Sequence, residues 1–136
     1  MTKEKEFIDQ DVIRLRDMVS YYLRREDDED RRENLRFLEA ELERGNVIST
    51  SGVPAEMVIM NAQVQLHDLD SHERMAYRLV YPEDGGLEDG RLSVLSPLGM
   101  AVLGRRAGET IEWAVPDGVR RIKIETVHHQ PKPNKD

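Results

Sequence analysis

The sequence predicts an α+β fold in which a short antiparallel helical hairpin (a coiled coil) precedes a small, mostly antiparallel β-sheet that carries one short helix. Three observations predict it. Apolar residues repeat at heptad spacing in two stretches before residue 46. Apolar and polar residues alternate in several short segments after residue 57, as strands require. Between these segments, the run from Arg91 to Gly108 contains a Ser-Pro pair and an apolar stretch that ends in glycine, which is typical of one capped helix.

The chain of 136 residues is long enough for one modest domain, or for a small domain with an appendage. We expect the helical hairpin at residues 1–46 and the sheet domain at residues 57–130. Residues 47–56 are rich in Ser, Thr, Gly and Pro and are expected to form a linker. Residues 131–136 are expected to form a polar tail.

The predicted hairpin begins at Asp9 or Asp11, either of which is a candidate N-cap. Its first heptad seam comprises Ile8, Val12, Leu15, Val19 and Tyr22. Its second seam comprises Leu35, Leu38 and Leu42, with Phe37 and Glu41 beside them, and ends at Gly45-Asn46. Two seams of matched length around a polar connection predict an antiparallel pair of helices. The acidic tip of this pair is Glu26, Asp27, Asp28, Glu29 and Asp30.

The sheet domain is expected to begin with a strand at Met57–Met60 and a turn at Asn61-Ala62. The alternating stretches around Val64–Leu66 and Met75–Tyr81 predict an antiparallel hairpin, and a surface loop follows at 82–90. After a short strand at Leu92–Leu95 comes the capped helix. The remaining strands belong to a last hairpin; their inward residues are Ile111, Trp113, Val115, Ile122 and Ile124, and Pro116-Asp117-Gly118 forms the turn.

The capped helix is the best-defined local feature. Ser96 can accept a backbone N–H as N-cap, and Pro97 occupies the first helical position, where its missing N–H has no cost. Gly104 can adopt the left-handed conformation that closes the helix. Because so short a helix is unstable alone, it must lie on the sheet.

Composition limits the function classes. The formal net charge of −7 argues against tight, sequence-independent binding of nucleic acid, and an aromatic content of 5% argues against base stacking. The chain has no cysteine and no apolar run of about 20 residues. Its first residues lack the apolar core of a signal peptide, so we expect a cytoplasmic protein. We expect no cofactor.

Other chemistry-bearing residues have simpler explanations. The four histidines, at 67, 72, 128 and 129, show no metal-ligand spacing, and capping accounts for Ser96 without a catalytic triad. Tyr77, Tyr81 and Trp113 could line a prolyl-isomerase pocket, but core packing is the favoured interpretation. The pair Arg105-Arg106 either complements the end of the short helix or contacts an acidic surface.

The sheet half resembles the C-terminal domain of the bacterial Gre transcript-cleavage factors. The residues that carry this resemblance are Ser96-Pro97, Ala101, Leu103-Gly104 and Gly108-Glu109. A closer resemblance, to Rnk-type regulators of nucleoside diphosphate kinase in the same family, covers nearly the whole chain. Its residues are Val58, Met60-Asn61, Leu79-Val80-Tyr81-Pro82, Leu92-Ser93-Val94, Pro97, Gly99, Leu103-Gly104, Gly108, Trp113, Pro116, Gly118 and Gln130-Pro131.

The resemblance implies an FKBP-like sheet domain and one partner, bacterial RNA polymerase, contacted at the rim of its secondary channel. The implied contact is Leu95-Ser96-Pro97-Leu98, called the docking segment below. We expect Arg105 to contact the polymerase as well, as a cation that meets an acidic surface. The resemblance also implies that the acidic tip faces the channel, where longer Gre hairpins help to hold a catalytic magnesium ion.

A first helix of about 22 Å is roughly half the length of a Gre arm. We therefore expect a non-enzymatic regulator that competes with Gre factors without stimulating cleavage. The alternative is a cleavage factor that uses its acidic tip. The resemblance also implies a link to nucleoside diphosphate kinase, either indirect, through transcription, or direct, in which case the protein would co-purify with that enzyme without the polymerase.

Overall fold

The computed structural model describes residues 4–82 and 90–129, with the backbone alone at residues 113–115. The chain divides into two compact units, Met1–Val53 and Pro54–Asp136. The first unit contains two long helices, and the second contains a five-stranded sheet with one short helix. This arrangement confirms the predicted α+β class.

The first unit is a helical hairpin made of α1 (Asp9–Leu23) and α2 (Glu29–Arg44). Its core consists of one stripe from each helix: Val12, Leu15, Met18 and Val19 from α1, and Leu35, Leu38 and Leu42 from α2. These are the predicted seams with three differences: Met18 is also buried, Tyr22 is only half-buried, and Ile8, although buried, lies in a strand before α1. Phe37 lies outside the seam with 52% of its surface exposed. Burial of the shared stripe is what stabilises helices of this length.

Two three-residue strands close the base of the hairpin, and the sequence analysis missed both. β1 (Glu6–Ile8) pairs in parallel with β2 (Asn46–Ile48), so that Phe7 lies opposite Val47. Gly45 permits this approach, because a Cβ there would lie 2.2 Å from the Phe7 ring. An ion pair of 3.0 Å between Lys5 Nζ and Glu41 Oε1 also joins the base to α2, with both side chains largely buried.

Two predictions for this unit need correction. Ile8, not an aspartate, is the N-cap of α1, and no side chain caps the helix. The Asp9 carboxylate instead accepts hydrogen bonds from the hydroxyl and the backbone N–H of Thr50, and the hydroxyl bond is the main reason that the pKa of Asp9 is lowered. Thr50 begins a 3₁₀ helix, Thr50–Gly52, within the segment 47–56 that was expected to be a linker. Residues up to Val53 therefore belong to the first unit.

The second unit is a sheet with the strand order β5-β4-β3-β7-β6. Its strands are β3 (Ala62–Asp68), β4 (Arg74–Val80), β5 (Arg91–Ser93), β6 (Thr110–Val115) and β7 (Gly118–His129). The β3–β4 and β6–β7 pairs are antiparallel hairpins, as predicted, and β3 also pairs antiparallel with β7. Among the described residues of this sheet, β4 and β5 are the one parallel pair. The short helix α3 spans Pro97–Val102.

One face of the sheet forms the core of this unit. Ala62, Val64 and Leu66 of β3 are fully buried, whereas Gln65 between them is exposed. Ile122 and Ile124 of β7 and Leu79 of β4 are also buried. This alternation is the period-2 pattern from which the strands were predicted.

The predicted strand Met57–Met60 is wrong, although all four residues are buried. Met57 forms only an isolated bridge with Arg106. The Val58 N–H donates to the Arg105 carbonyl at 2.7 Å, and the Val58 carbonyl accepts from Gly104 at 3.0 Å. An apolar run of four residues indicates burial but does not distinguish a strand from a buried extended segment.

The turns, strand ends and loops of the second unit agree with the predictions in part. The Asn61 turn is present with a φ of 69°, and β5 ends at Ser93 rather than at Leu95. The greater part of the 82–90 loop and the 131–136 tail lie outside the described residues. Within residues 4–82 and 90–129, no helix combines the length and the apolar character needed to cross a membrane.

Candidate functional site: the docking segment and the acidic tip

The docking segment joins β5 to α3. Ser96 is the N-cap of α3, as predicted, and its Oγ accepts a hydrogen bond of 3.1 Å from the Gly99 N–H. Pro97 occupies the first turn of the helix. Gly104, with a φ of 82°, has the predicted left-handed conformation just after the helix. The local sequence therefore determines both ends of this element.

The docking segment presents an apolar, uncharged surface. Pro97 is exposed, and Leu95, Ser96 and Leu98 are half-buried. Val94, Met100 and Val102 are buried beneath them. Although charged residues make up 35% of the whole chain, none occurs between Leu92 and Gly104. Such a surface suits an apolar partner site and does not depend on charge pairing.

Arg105 differs from the docking segment in its exposure. Its side chain is only 15% exposed, and its guanidinium lies 4.0 Å from the Glu109 carboxylate. The neighbouring Arg106 lies 3.3 Å from Glu56 and is more exposed. The structure thus gives Arg105 an ionic partner within its own unit.

The acidic tip is a capped turn between α1 and α2. Asp28 is the N-cap of α2, and its Oδ1 accepts a hydrogen bond of 2.9 Å from the Asp30 N–H. Glu26 accepts a bond of 3.2 Å from the Asp28 N–H. Glu29 and Asp30 lie in the first turn of α2, where negative charge is favourable.

Two arginines of α2, Arg31 and Arg32, contact the acidic tip. Arg32 donates to the carbonyl oxygens of Leu23 and Glu26, which ties the start of α2 to the end of α1. Arg31 lies 3.7 Å from Glu26 and 4.0 Å from Asp28. Of the five tip acids, Asp27 and Asp30 have no ion-pair partner in the described part of the chain. Glu29 lies 3.7 Å from Arg36.

The remaining candidates do not assemble into a catalytic or metal site in the described ranges 4–82 and 90–129. No group of three or more His, Cys, Asp or Glu residues there could hold a metal ion. His129 Nε2 lies 2.8 Å from the Met57 carbonyl oxygen, and His67 Nδ1 lies 3.7 Å from Glu125. Tyr81 is buried in the core and Tyr77 is half-buried. The Trp113 side chain lies outside the described residues.

Ser93 and Gly99 shape the docking segment, a role that was not predicted, although both belong to the Rnk-type pattern. Ser93 accepts hydrogen bonds from both Leu95 and Ser96. Gly99 lies inside α3, against the Ser93 carbonyl. A glycine in the interior of a short helix was the available signal, because glycine there normally weakens a helix.

Comparison with known proteins identifies the family. Residues 53–129 match the family model described as "Transcription elongation factor, GreA/GreB, C-term", which covers more than half of the chain. The chain belongs to the GreA/GreB family. The resemblance inferred from the sequence is therefore confirmed, and family members are named as elongation factors or regulators rather than as enzymes.

Two curated relatives of this GreA/GreB family member illustrate the range of the family. A regulator of nucleoside diphosphate kinase from Escherichia coli K12 is 35% identical over 96 residues, which are 70% of this chain and 71% of the relative. The elongation factor GreA from Magnetococcus marinus is 33% identical over 87 residues, 64% of this chain but only 55% of that protein. These shares correspond to relatives of about 135 residues and about 158 residues.

A solved structure has the same fold across nearly the whole chain. It is a prokaryotic transcription elongation factor GreA/GreB from Nitrosomonas europaea, 30% identical, with a TM-score of 0.73. The match covers 94% of this chain and 100% of that one. Both the helical unit and the sheet unit therefore have counterparts in a GreA/GreB structure.

Proposed function

We propose that this GreA/GreB family member is a transcription regulator that binds RNA polymerase at the rim of the secondary channel. The docking segment makes the contact, and the hairpin occupies the channel entrance. The protein thereby competes with Gre-type factors without stimulating transcript cleavage. The observation that carries the proposal is the length of the hairpin, whose helices have 15 and 16 residues.

The reach of the hairpin can be compared with that of GreA. The helices α1 and α2 have 15 and 16 residues, so at 1.5 Å per residue each is about 22 to 24 Å long. The resemblance to Gre factors implies arms of roughly twice that length, so the present arms are shorter by about 20 Å. Because a carboxylate must come within about 2 Å of a magnesium ion to bind it, this deficit prevents shared metal catalysis.

The contacts that the acidic tip makes within the hairpin also argue against a role in binding a catalytic metal ion. Glu26 and Asp28 accept backbone N–H groups and lie beside Arg31. Carboxylates that already cap a helix and face an arginine are poor ligands for a further cation, since binding would require these contacts to break. Asp27 and Asp30 are exposed and have no ionic partner in the described ranges, so they are the tip residues best placed to act in the alternative, a cleavage factor.

The partner is a protein surface rather than free nucleic acid. The docking segment is uncharged and the chain carries a net charge of −7, which disfavours contact with phosphates. We place the protein in the cytoplasm with the polymerase. An effect on nucleoside diphosphate kinase, which the name of the Escherichia coli relative suggests, would then be indirect, through transcription.

The experiment is capture of purified core RNA polymerase by the full chain. The double variant Pro97→Ala with Leu98→Asp should lose capture, because it removes an exposed ring and charges the apolar docking segment. Pro116→Ala with Val119→Asp is the matched control, since it also replaces a proline by alanine and an apolar residue by aspartate, at exposed positions of the same unit. Capture by the docking variant at the wild-type level would exclude the docking segment as the contact.

A further inference from the structure

We infer that Ser93 and Gly99 are positioning residues that fix the conformation of the docking segment. The inference rests on the proposed function and adds to it, because neither residue needs to touch the polymerase. Ser93 is the last residue of β5, and Gly99 lies in the first turns of α3. The docking segment lies between them.

Ser93 holds the docking segment by three hydrogen bonds. Its carbonyl oxygen accepts from the Ser96 N–H at 3.0 Å and from the Ser96 hydroxyl at 2.7 Å. Its own Oγ accepts from the Leu95 N–H at 3.1 Å. The carbonyl therefore fixes the cap residue, and the hydroxyl fixes the residue before it.

Gly99 provides the space that this arrangement needs. A Cβ at this position would lie 2.0 Å from the Ser93 carbonyl oxygen and 2.9 Å from its carbonyl carbon. These are backbone atoms of a sheet strand, so they cannot rotate away as a flexible side chain could. Any larger residue at position 99 must push α3 away from β5 and stretch the Ser93–Ser96 bonds.

No other feature of Gly99 explains a glycine here. Its φ is not positive, so alanine would fit the backbone conformation and would favour the helix more than glycine does. The close approach of α3 to β5 is thus the remaining reason. The same approach aims Pro97 outward while Met100 and Val102 remain buried.

A fixed docking segment affects affinity as well as shape. A loop that is ordered before binding loses less conformational freedom when the complex forms. Loosening the segment should therefore weaken the polymerase complex even though every contacting side chain is still present. This effect separates a positioning role from a contact role.

The experiment measures two quantities on the full chain: the hydrogen-exchange rate of the Leu95 and Gly99 amides, and the Kd for core RNA polymerase. Ser93→Ala and Gly99→Ala should each raise the exchange rate at least tenfold and weaken binding about tenfold, at temperatures where both variants remain folded. Ser93→Thr keeps the hydroxyl, so its exchange rate and Kd should stay within about twofold of wild type. Gly52→Ala is the control for glycine substitution, because a Cβ at Gly52 meets no atom within 4 Å.

The outcomes separate the two proposals. Unchanged exchange in Ser93→Ala overturns the positioning role whether or not the polymerase binds, and so does a Ser93→Thr variant that behaves like Ser93→Ala. If Gly99→Ala does not fold, the comparison of Ser93→Ala with Ser93→Thr still tests the positioning role. Accelerated exchange together with a wild-type protein that does not bind polymerase supports the positioning role and overturns the proposed function.

Discussion

Asp68 and Arg120 form an ion pair in which the carboxylate is buried and the guanidinium is half-exposed. The Asp68 side chain, at the end of β3, is 4% exposed, and that of Arg120, on β7, is 46% exposed. The same carboxylate accepts the backbone N–H groups of Asp70 and Ser71, which close the loop to β4. One side chain therefore joins a turn to the neighbouring strand.

This pair predicts an acid-sensitive sheet unit. The Ser71 N–H bond and then the Arg120 bond hold the pKa of Asp68 far below its ordinary value of 3.8. Because the pKa is lower in the folded than in the unfolded chain, the stabilisation is complete above about pH 5 and is lost as the pH falls below about 4. Asp68→Asn should lower the Tm at pH 7 by several degrees, and its Tm should approach that of wild type in acid.

Thermal unfolding from pH 2.5 to 7 measures this prediction. Asp117→Asn serves as the control, because Asp117 is an exposed turn residue with no ion pair among the described residues. A Tm difference between wild type and Asp68→Asn that stays constant over this range would contradict the linkage.

The hairpin core gives a second prediction from two adjacent residues. Leu38 is fully buried and Phe37 is 52% exposed. Leu38→Ala should reduce the free energy of unfolding of the first unit by about 3 kcal/mol, because it leaves a cavity in the seam. Phe37→Ala should change it by less than about 1 kcal/mol. Urea unfolding followed by helical circular dichroism distinguishes the two, and equal effects would show that the seam is misassigned.

The acidic tip gives a third prediction. Asp28→Ala removes the N-cap of α2 and should destabilise the hairpin by about 1 kcal/mol. Asp27→Ala removes an exposed carboxylate of the same type with no hydrogen bond in the described ranges, so the stability should not change. The same urea titration compares them. A larger loss for Asp27→Ala would contradict the assignment of Asp28 as the cap.

Much of the fold could be predicted because local rules and packing agree. The heptad seams predicted both helices, since burying an apolar stripe is what a short helix needs. Ser96, Pro97 and Gly104 predicted α3, because each residue suits one position of a helix end. Alternation predicted the two hairpins of the sheet.

The errors occurred where distant contacts override local sequence. The β1–β2 pair joins segments about forty residues apart, and strands of three residues are too short to show alternation. Asp9 has the composition of a cap, but Thr50 engages its carboxylate from the other end of the unit. The close approach of Gly99 to the Ser93 carbonyl likewise depends on how α3 packs against β5.

Transcript cleavage tests the central claim most directly. Stalled elongation complexes are incubated with a saturating concentration of the protein in the presence of magnesium, and the release of short 3′ RNA fragments is followed over time. With 15- and 16-residue helices, we predict no release above that of the polymerase alone. Release of fragments that is abolished by changing Asp27, Asp28 and Glu29 together to alanine would contradict the account.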